Sequence, residues 1–361
     1  MDQHSLAAGE PEQLTISTHG LQGILATVPY LLGFHPQQSL VTVLFEGPRV
    51  LVTLRLDISR LVDDPEGVEQ FVREQLERTE ATAVLLVAYT EVPDPIVGER
   101  LEGLSIAIEA DGLVRDTAPD VMDAVHVAAG RYRSVTCRDT TCCPPEGFDY
   151  EAVLSDPAAA QAVVGGLPAL ADREDLRAAI LPGSDDPGEE YDDTLLAMLL
   201  WLRGRPPLEV AMEMDARLRQ VEAGGRVPQP RDLAILTALA TDPHARDVAT
   251  LRIHRLSAPL WADVWAAAAR NTDDLAAVAP LCLVGVAAWA RGDGALVCLC
   301  LEEAERRCPE HGLVRLLDGV VELGLHPDEW HRMRRESLDD FGPLGPASQL
   351  GQEDEEEQSV G

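Results

Sequence analysis

A single apolar segment, residues 83–89, limits how this chain can fold more than any other feature of its sequence. Because the segment lacks polar alternation, a strand here must be covered on both faces, as the central strands of α/β proteins are. Helical patterns flank it: one follows Asp64-Pro65, a strong helix start, and the other covers residues 97–108. An earlier helical pattern contains Pro29, where we expect a kink or an end.

Segments on either side of this strand supply the rest of a sheet. Residues 39–45 and 50–57 alternate in polarity around a Gly-Pro turn, which is typical of a β-hairpin. Residues 121–127 and 131–136, separated by Ala-Ala-Gly, indicate a closing strand pair. Since strands and helices are interleaved, we predict an N-terminal α/β sandwich domain over residues 14–150.

The pattern changes after this region. From residue 156 onward strand signals end, and alanine-rich helical segments follow one another. Gly292-Asp293 combines a helix stop with a helix start and predicts a tight corner. We therefore predict an all-α helical C-terminal domain over residues 151–336. No basic residue follows Arg335, and the acidic residues beyond it predict a disordered tail over residues 337–361.

Net charge and residue choice argue against several classes of function. The formal charge of −33 at pH 7 opposes contact with nucleic-acid phosphates and anionic lipid. Aromatic residues make up only 4% of the chain, so surfaces on which bases could stack are scarce. The sequence contains no lysine, which excludes a Schiff-base lysine, a pyridoxal attachment site and a P-loop lysine. We expect neither nucleic acid nor a membrane as a partner.

The apolar segments and the N-terminus indicate a compartment. The first five residues, Met-Asp-Gln-His-Ser, lack the basic and apolar regions of a secretory signal. The most apolar later segment, residues 278–290, is shorter than the ~20 residues that cross a bilayer. We predict a cytoplasmic protein whose cysteines are reduced thiols or ligands rather than a disulfide framework.

Three motifs occur in a characteristic order along the chain. They are Val28-Pro-Tyr-Leu-Leu-Gly-Phe34-His-Pro36, then Cys142-Cys-Pro-Pro-Glu-Gly147, then Ala287-Ala-Trp289 with Gly292-Asp-Gly-Ala295. Together they make the chain resemble the actinobacterial domain-of-unknown-function family 4192 (DUF4192) over nearly all of its predicted ordered part. The arginine-only, alanine-rich composition suits a high-GC source. The resemblance implies a domain assignment and cytoplasmic residence, and it supplies no reaction, cofactor or catalytic residue.

Three of the seven cysteines fall in one predicted loop, at Cys137, Cys142 and Cys143, beside a Pro-Pro pair. Thiolates at short spacing bind zinc, and His126 or His35 is the candidate fourth ligand. Adjacent cysteines, however, rarely bind one ion without strain. Thiols near arginine are also typical of a reversible redox pair, and small thiols are typical of packing between domains. Zinc, redox and packing interpretations all remain open from sequence.

Four other residues complete the candidate site. Arg131 and Arg133 lie near the thiols in sequence, where they would stabilise a thiolate or bind an anion. His35 follows a predicted helix end and is a candidate titrating group at the rim of the sheet. Asp57 ends a predicted strand, and sites in α/β proteins gather at strand ends.

Missing catalytic signatures, the large helical half and the acidic surface favour a non-enzymatic binding or regulatory module that acts on a protein partner. The alternative is a thiol- or zinc-dependent protein with its site at residues 137–143. A third hypothesis is a hydrolase or transferase that uses carboxylates and His35.

Overall fold

The computed structural model describes residues 16–18, 20–114, 119–165, 167, 169–181, 188–272 and 275–341. The chain divides into two compact units, of which one is Ile16–Leu176 and the other contains the chain from Arg177 onward. The first unit holds a sheet with helices, whereas the described part of the second forms helices. The predicted α/β architecture followed by an all-α part is thus confirmed, and the domain limits at residues 150 and 336 stay a prediction.

The sheet of the first unit has six strands. In chain order they are β1 (Ser39–Glu46), β2 (Arg49–Asp57), β3 (Ala83–Thr90), β4 (Asp120–Ala128), β5 (Arg131–Ser134) and β6 (Phe148–Asp149). Their order across the sheet is β2-β1-β3-β4-β5-β6. β3 and β4 are parallel, and each other neighbouring pair is antiparallel. Both predicted strand pairs are present, the second with a shorter final strand.

β3 lies inside the sheet and is covered on both faces, as its unbroken apolar sequence predicts. Its five central residues, from Val84 to Ala88, are fully buried. On one face, Leu86 belongs to the same apolar cluster as Val68 and Leu101, which lie on two helices. Burying a side chain of this size stabilises the fold by about 1.5–3 kcal/mol, so the cluster is a major contribution to the stability of this unit.

Seven described helices accompany the sheet, and the longest of them has 20 residues. They are α1 (Gly20–Leu32), α2 (Ile58–Asp63), α3 (Pro65–Thr79), α4 (Pro95–Val114), α5 (Tyr150–Leu154), α6 (Pro157–Val164) and α7 (Arg173–Ala178). Asp64 caps α3 by accepting a hydrogen bond from the Gly67 amide at 3.0 Å, which is the helix start expected there. Pro29 does not end α1. The helix contains the buried Pro29 and continues to Leu32.

The second unit is built from longer helices. They are α8 (Glu189–Leu202), α9 (Pro207–Gly224), α10 (Pro230–Ala240), α11 (Pro243–Leu251), α12 (Ala258–Arg270), the 3₁₀ helix Leu275–Ala277, α13 (Val278–Arg291), α14 (Gly294–Arg307), α15 (Gly312–Leu323) and α16 (Pro327–Phe341). α13 is apolar on all sides and is buried along almost its whole length. The predicted corner is present: Gly292 has φ +81°, and Asp293 caps α14 through the Leu296 amide.

α16 continues to Phe341, which is five residues into the predicted disordered tail. The rest of that prediction, residues 342–361, lies outside the described residues. Within the part of the chain that the structure covers, no helix combines the length and the apolarity that crossing a membrane requires.

Candidate metal centre

The three clustered cysteines converge on one point. The sulfur atoms of Cys137, Cys142 and Cys143 all lie within 4.8 Å of one another, and those of Cys142 and Cys143 are 3.9 Å apart. We call this group the thiol cluster. Tetrahedral zinc with Zn–S bonds of about 2.3 Å holds its sulfurs about 3.8 Å apart. Small side-chain rotations would therefore bring all three sulfurs into bonding distance of one ion, even though two of the residues are adjacent.

The entry to the loop is held by a carboxylate in β4. Asp123 Oδ1 accepts hydrogen bonds from Ser134 Oγ at 2.6 Å and from Thr136 Oγ1 at 3.3 Å. Ser134 Oγ in turn accepts a hydrogen bond from the Cys137 amide at 3.0 Å. A hydrogen bond to a charged group is worth about 1.5–3 kcal/mol, so this chain of contacts fixes where Cys137 leaves the sheet.

The exit from the loop is held by an arginine in β5. Arg131 donates from Nε to the Glu146 carbonyl and from Nη2 to the Gly147 carbonyl, both at 2.6 Å. The Gly147 amide also donates to the Pro144 carbonyl at 2.8 Å, which closes a turn. Immediately afterwards the chain enters β6, which pairs with β5. Both ends of the loop are therefore tied to the same strand.

A turn inside the loop brings its middle back on itself. The Cys143 amide donates to the Asp139 carbonyl at 2.7 Å, and Asp139 Oδ1 accepts from the Thr141 amide at 2.8 Å. The latter hydrogen bond lowers the pKa of Asp139. The turn folds Cys142 and Cys143 over Cys137, which is why residues five and six positions apart share one cluster.

Within the thiol cluster, Cys143 resists ionisation. Hydrogen bonding to Cys137, followed by burial and hydrogen bonding to Cys142, raises the pKa of Cys143 to about 12. A dense group of thiols resists ionisation because neighbouring thiolates repel, and a bound cation removes that repulsion. The direction is opposite to that of a thiol activated for redox chemistry, which has a lowered pKa.

A family model described as domain of unknown function (DUF4192) matches residues 22–328. The chain belongs to this family. The matched region contains the whole thiol cluster and the residues that hold it. Neither a curated protein nor a solved structure matches the chain.

In this DUF4192 chain, His126 is not a member of the thiol cluster. Its Nε2 atom lies 2.7 Å from Thr90 Oγ1, across the parallel strand pair, and its side chain is buried. Among the described residues, the metal-ligating group at this loop consists of the three thiols. A cation bound there would keep one coordination position for water or for a ligand from another molecule, the arrangement in which zinc is exchangeable or reactive.

The remaining sequence-predicted residues are dispersed. Arg133 lies on β5 opposite His126. His35 packs behind α1, where its amide donates to the Leu170 carbonyl at 3.0 Å and burial lowers its pKa. Asp57 ends β2, the outermost strand at the other side of the sheet, and forms an ion pair with Arg55 at 2.6 Å. The structure therefore brings neither His35 nor Asp57 to the thiols.

Sequence reasoning missed Asp123 and Ser134, which position the loop. Asp123 is a carboxylate between Met122 and Ala124 in a strand of mostly apolar residues, and that exception is the signal that could have found it. Its partner Ser134 lies on the next strand, so its role follows only from the pairing of β4 with β5.

Proposed function

We propose that this protein is a metal-binding protein whose thiol cluster takes one thiophilic divalent cation, with zinc as the first choice. The observation that carries the proposal is the approach of three cysteine sulfurs to within 4.8 Å of one another in a loop tied at both ends. Cysteines that only fill space in a core need not bring their sulfurs together, and Cys142 is exposed rather than buried.

The electrostatics of the loop support a cation over a redox pair. Zinc releases protons when it binds thiols, so it can populate thiolates whose own pKa is high. Two of the arginines near the thiols in sequence are engaged elsewhere: Arg138 pairs with Glu102, and Arg131 binds two loop carbonyls. Neither of these two arginines is therefore placed to stabilise a thiolate.

Cobalt substitution tests the proposal. Metal-free protein is titrated with Co²⁺, whose thiolate charge-transfer absorption scales with the number of bound sulfurs, and zinc is then added to displace it. We expect one equivalent of each metal. Cys142→Ser should lower the absorption by about a third and weaken zinc binding by more than ~100-fold, since losing even an outer-sphere partner costs 10–100-fold.

Cys298→Ser is the matched control, because Cys298 is also partly exposed but lies on α14. This variant should bind both metals like the wild type. The proposal is wrong if the triple variant Cys137→Ser, Cys142→Ser and Cys143→Ser still takes up one equivalent of cobalt with a thiolate band.

We further propose a cytoplasmic location in an actinobacterial source, where a reducing environment would keep the thiols available to the ion. The arginine-only composition supports the source, and the charge of −33 argues against nucleic acid and membranes as partners. The third hypothesis, a hydrolase or transferase that uses His35, stays a prediction.

A second candidate function is protein binding, which an apolar surface on the second unit favours. Four side chains on α8 and α9 are more than half exposed: Leu196, Leu200, Leu208 and Met212. They form two pairs, and the members of each pair are one helical turn apart. Exposed apolar side chains grouped in this way mark interaction sites. Exposed Asp192, Asp193 and Glu209 lie on the same helices. We propose a partner whose apolar face is surrounded by basic residues.

Comparative affinity purification tests this surface. The wild type, the pair Leu196→Ser with Leu200→Ser, and Val164→Ser are used as baits at low and high salt. Val164 is a fitting control because it is 89% exposed and belongs to the first unit. A basic protein retained by the wild type and Val164→Ser but lost with the double variant supports the proposal. Identical recovery by all three baits overturns it.

A further inference from the structure

A small cavity opens beside the carboxyl ends of β3 and β4. Its volume is about 120 Å³, the space of about four water molecules. Residues from three segments line it. Pro93 follows β3, and His126, Ala128 and Ala129 are at the end of β4. The rest belong to β5 and the far end of the cysteine loop: Arg131, Tyr132, Arg133, Pro145, Glu146 and Gly147. The carboxyl edge of parallel strands is where α/β proteins bind ligands.

The tautomer of His126 follows from its hydrogen bonds. Thr90 has one hydroxyl proton, which it donates to the Val92 carbonyl at 2.7 Å. In its 2.7 Å contact with His126 Nε2 the hydroxyl must therefore accept, so Nε2 carries the proton. Nδ1 is left with its lone pair, and no residue in the described part of the chain bonds to it. Burial, followed by the charge of Arg133, lowers the pKa of His126 and favours this neutral form.

Arg133 lines the same cavity as His126. His126 and Arg133 are directly opposite each other in the antiparallel pair β4–β5, so their side chains leave the sheet on the same face. The guanidinium reaches the first turn of α4, where Nη2 lies 3.9 Å from the position of a Cβ on Gly98. No carboxylate or carbonyl pairs with this exposed guanidinium within the described ranges.

The cavity thus offers an unshared acceptor and an unshared, charged donor side by side. An ion that satisfies both must carry negative oxygen for Arg133 and a hydroxyl proton for His126 Nδ1. We propose that this cavity binds hydrogen phosphate, a small oxyanion that retains a P–OH group at neutral pH. Its volume of about 120 Å³ suits a small ion. This inference does not depend on metal at the thiol cluster.

One lining carboxylate opposes an anion and provides a further test. Glu146 is exposed at the rim, and its backbone carbonyl, not its side chain, is used by Arg131. Removing its charge leaves the donors in place. Glu146→Gln should therefore tighten phosphate binding severalfold, because repulsion between like charges at a partly enclosed site falls.

Isothermal titration of the full chain, kept metal-free with a chelator, measures binding of three probes at pH 7. Phosphate carries a hydroxyl proton, whereas sulfate does not, and methyl phosphate is mostly the dianion because its second pKa is near 6. We expect one phosphate per chain, held at least tenfold more tightly than either of the other two ions. No measurable phosphate binding, or equal binding of all three ions, overturns the proposal.

Two variants separate the donor from the acceptor. Arg133→Gln should weaken phosphate binding at least tenfold, while Arg49→Gln, at the opposite edge of the sheet, should leave it unchanged. His126→Gln keeps an amide donor for Thr90 but removes the Nδ1 acceptor, so it should abolish the preference for phosphate over sulfate. If His126→Gln does not fold, the exposed Arg133 variant still decides the outcome. Equal effects of Arg133→Gln and Arg49→Gln would show charge screening and overturn the site.

Discussion

Gly147 gives the sharpest test of how the cysteine loop is attached to the sheet. Its φ is +69°, a conformation that costs a residue with a side chain about 1–2 kcal/mol. A Cβ at this position would also lie 2.5 Å from the carbonyl oxygen and 3.2 Å from the carbonyl carbon of Tyr132. These are backbone atoms of β5, so relief requires the loop or the strand to move. Such overpacking costs a further ~1–3 kcal/mol, and Gly147→Ala should destabilise by about 2–5 kcal/mol in total.

Gly130 is the matched control for this variant. It lies in the turn between β4 and β5 and has φ +73°, but a Cβ there would meet no atom within 4 Å. Gly130→Ala therefore experiences the same backbone penalty without the close approach, and we expect a loss of about 1–2 kcal/mol. The difference between the two variants isolates the contact with Tyr132.

Urea denaturation followed by circular dichroism measures both losses. Tryptophan fluorescence provides a second signal that reports on the helical unit, because all five tryptophans follow Arg177. Losses that agree within about 0.5 kcal/mol for Gly130→Ala and Gly147→Ala would refute the close approach of the loop to β5.

Three further outcomes follow from buried contacts and from the thiols. Asp215 is buried and forms an ion pair with the buried Arg252. Asp215→Ala should therefore lower the free energy of unfolding, measured by chemical denaturation, by about 3–5 kcal/mol, and a loss below ~1 kcal/mol would contradict a desolvated pair. A Cβ on Gly285 would lie 2.6 Å from Leu317 Cδ1. Gly285→Val should therefore lower the free energy of unfolding by about 1–3 kcal/mol in the same assay, and an unchanged stability would show that α15 moves aside. Because the pKa of Cys143 is raised to about 12, zinc must displace its proton, and zinc affinity should rise with pH. Between about pH 6 and 8 we expect the affinity to rise about tenfold per pH unit for each proton released. Competition titrations that give a constant affinity over this range would exclude thiol ligation.

The sheet and the helix starts could be predicted because their signals are local. The apolar segment at β3, the Asp-Pro start of α3 and the Gly-Asp corner before α14 each follow from a few neighbouring residues. At Pro29 a kink or an end was expected; the helix does not end there but continues to Leu32, and the kink stays a prediction.

The candidate site was predicted only in part, because it depends on contacts between strands. The cysteine loop was singled out from the sequence, and its three sulfurs converge. The adjacency of Cys142 and Cys143 had suggested strain, because the turn at Asp139 that lets both converge has no strong sequence signal. His126 was expected beside the thiols. Its partner is instead Thr90 on the parallel strand, a contact fixed by sheet register that sequence spacing does not reveal.

Because both ends of the cysteine loop are already tied to β5, the cluster does not need an ion to exist. Metal binding would order a short segment that is already restrained at both ends. It would therefore cost little further conformational entropy of the chain. In small zinc-dependent domains the apo chain is unfolded. Here, withdrawal of the ion by a chelator should leave the sheet intact, and the occupancy of the loop can follow the concentration of free metal in its surroundings.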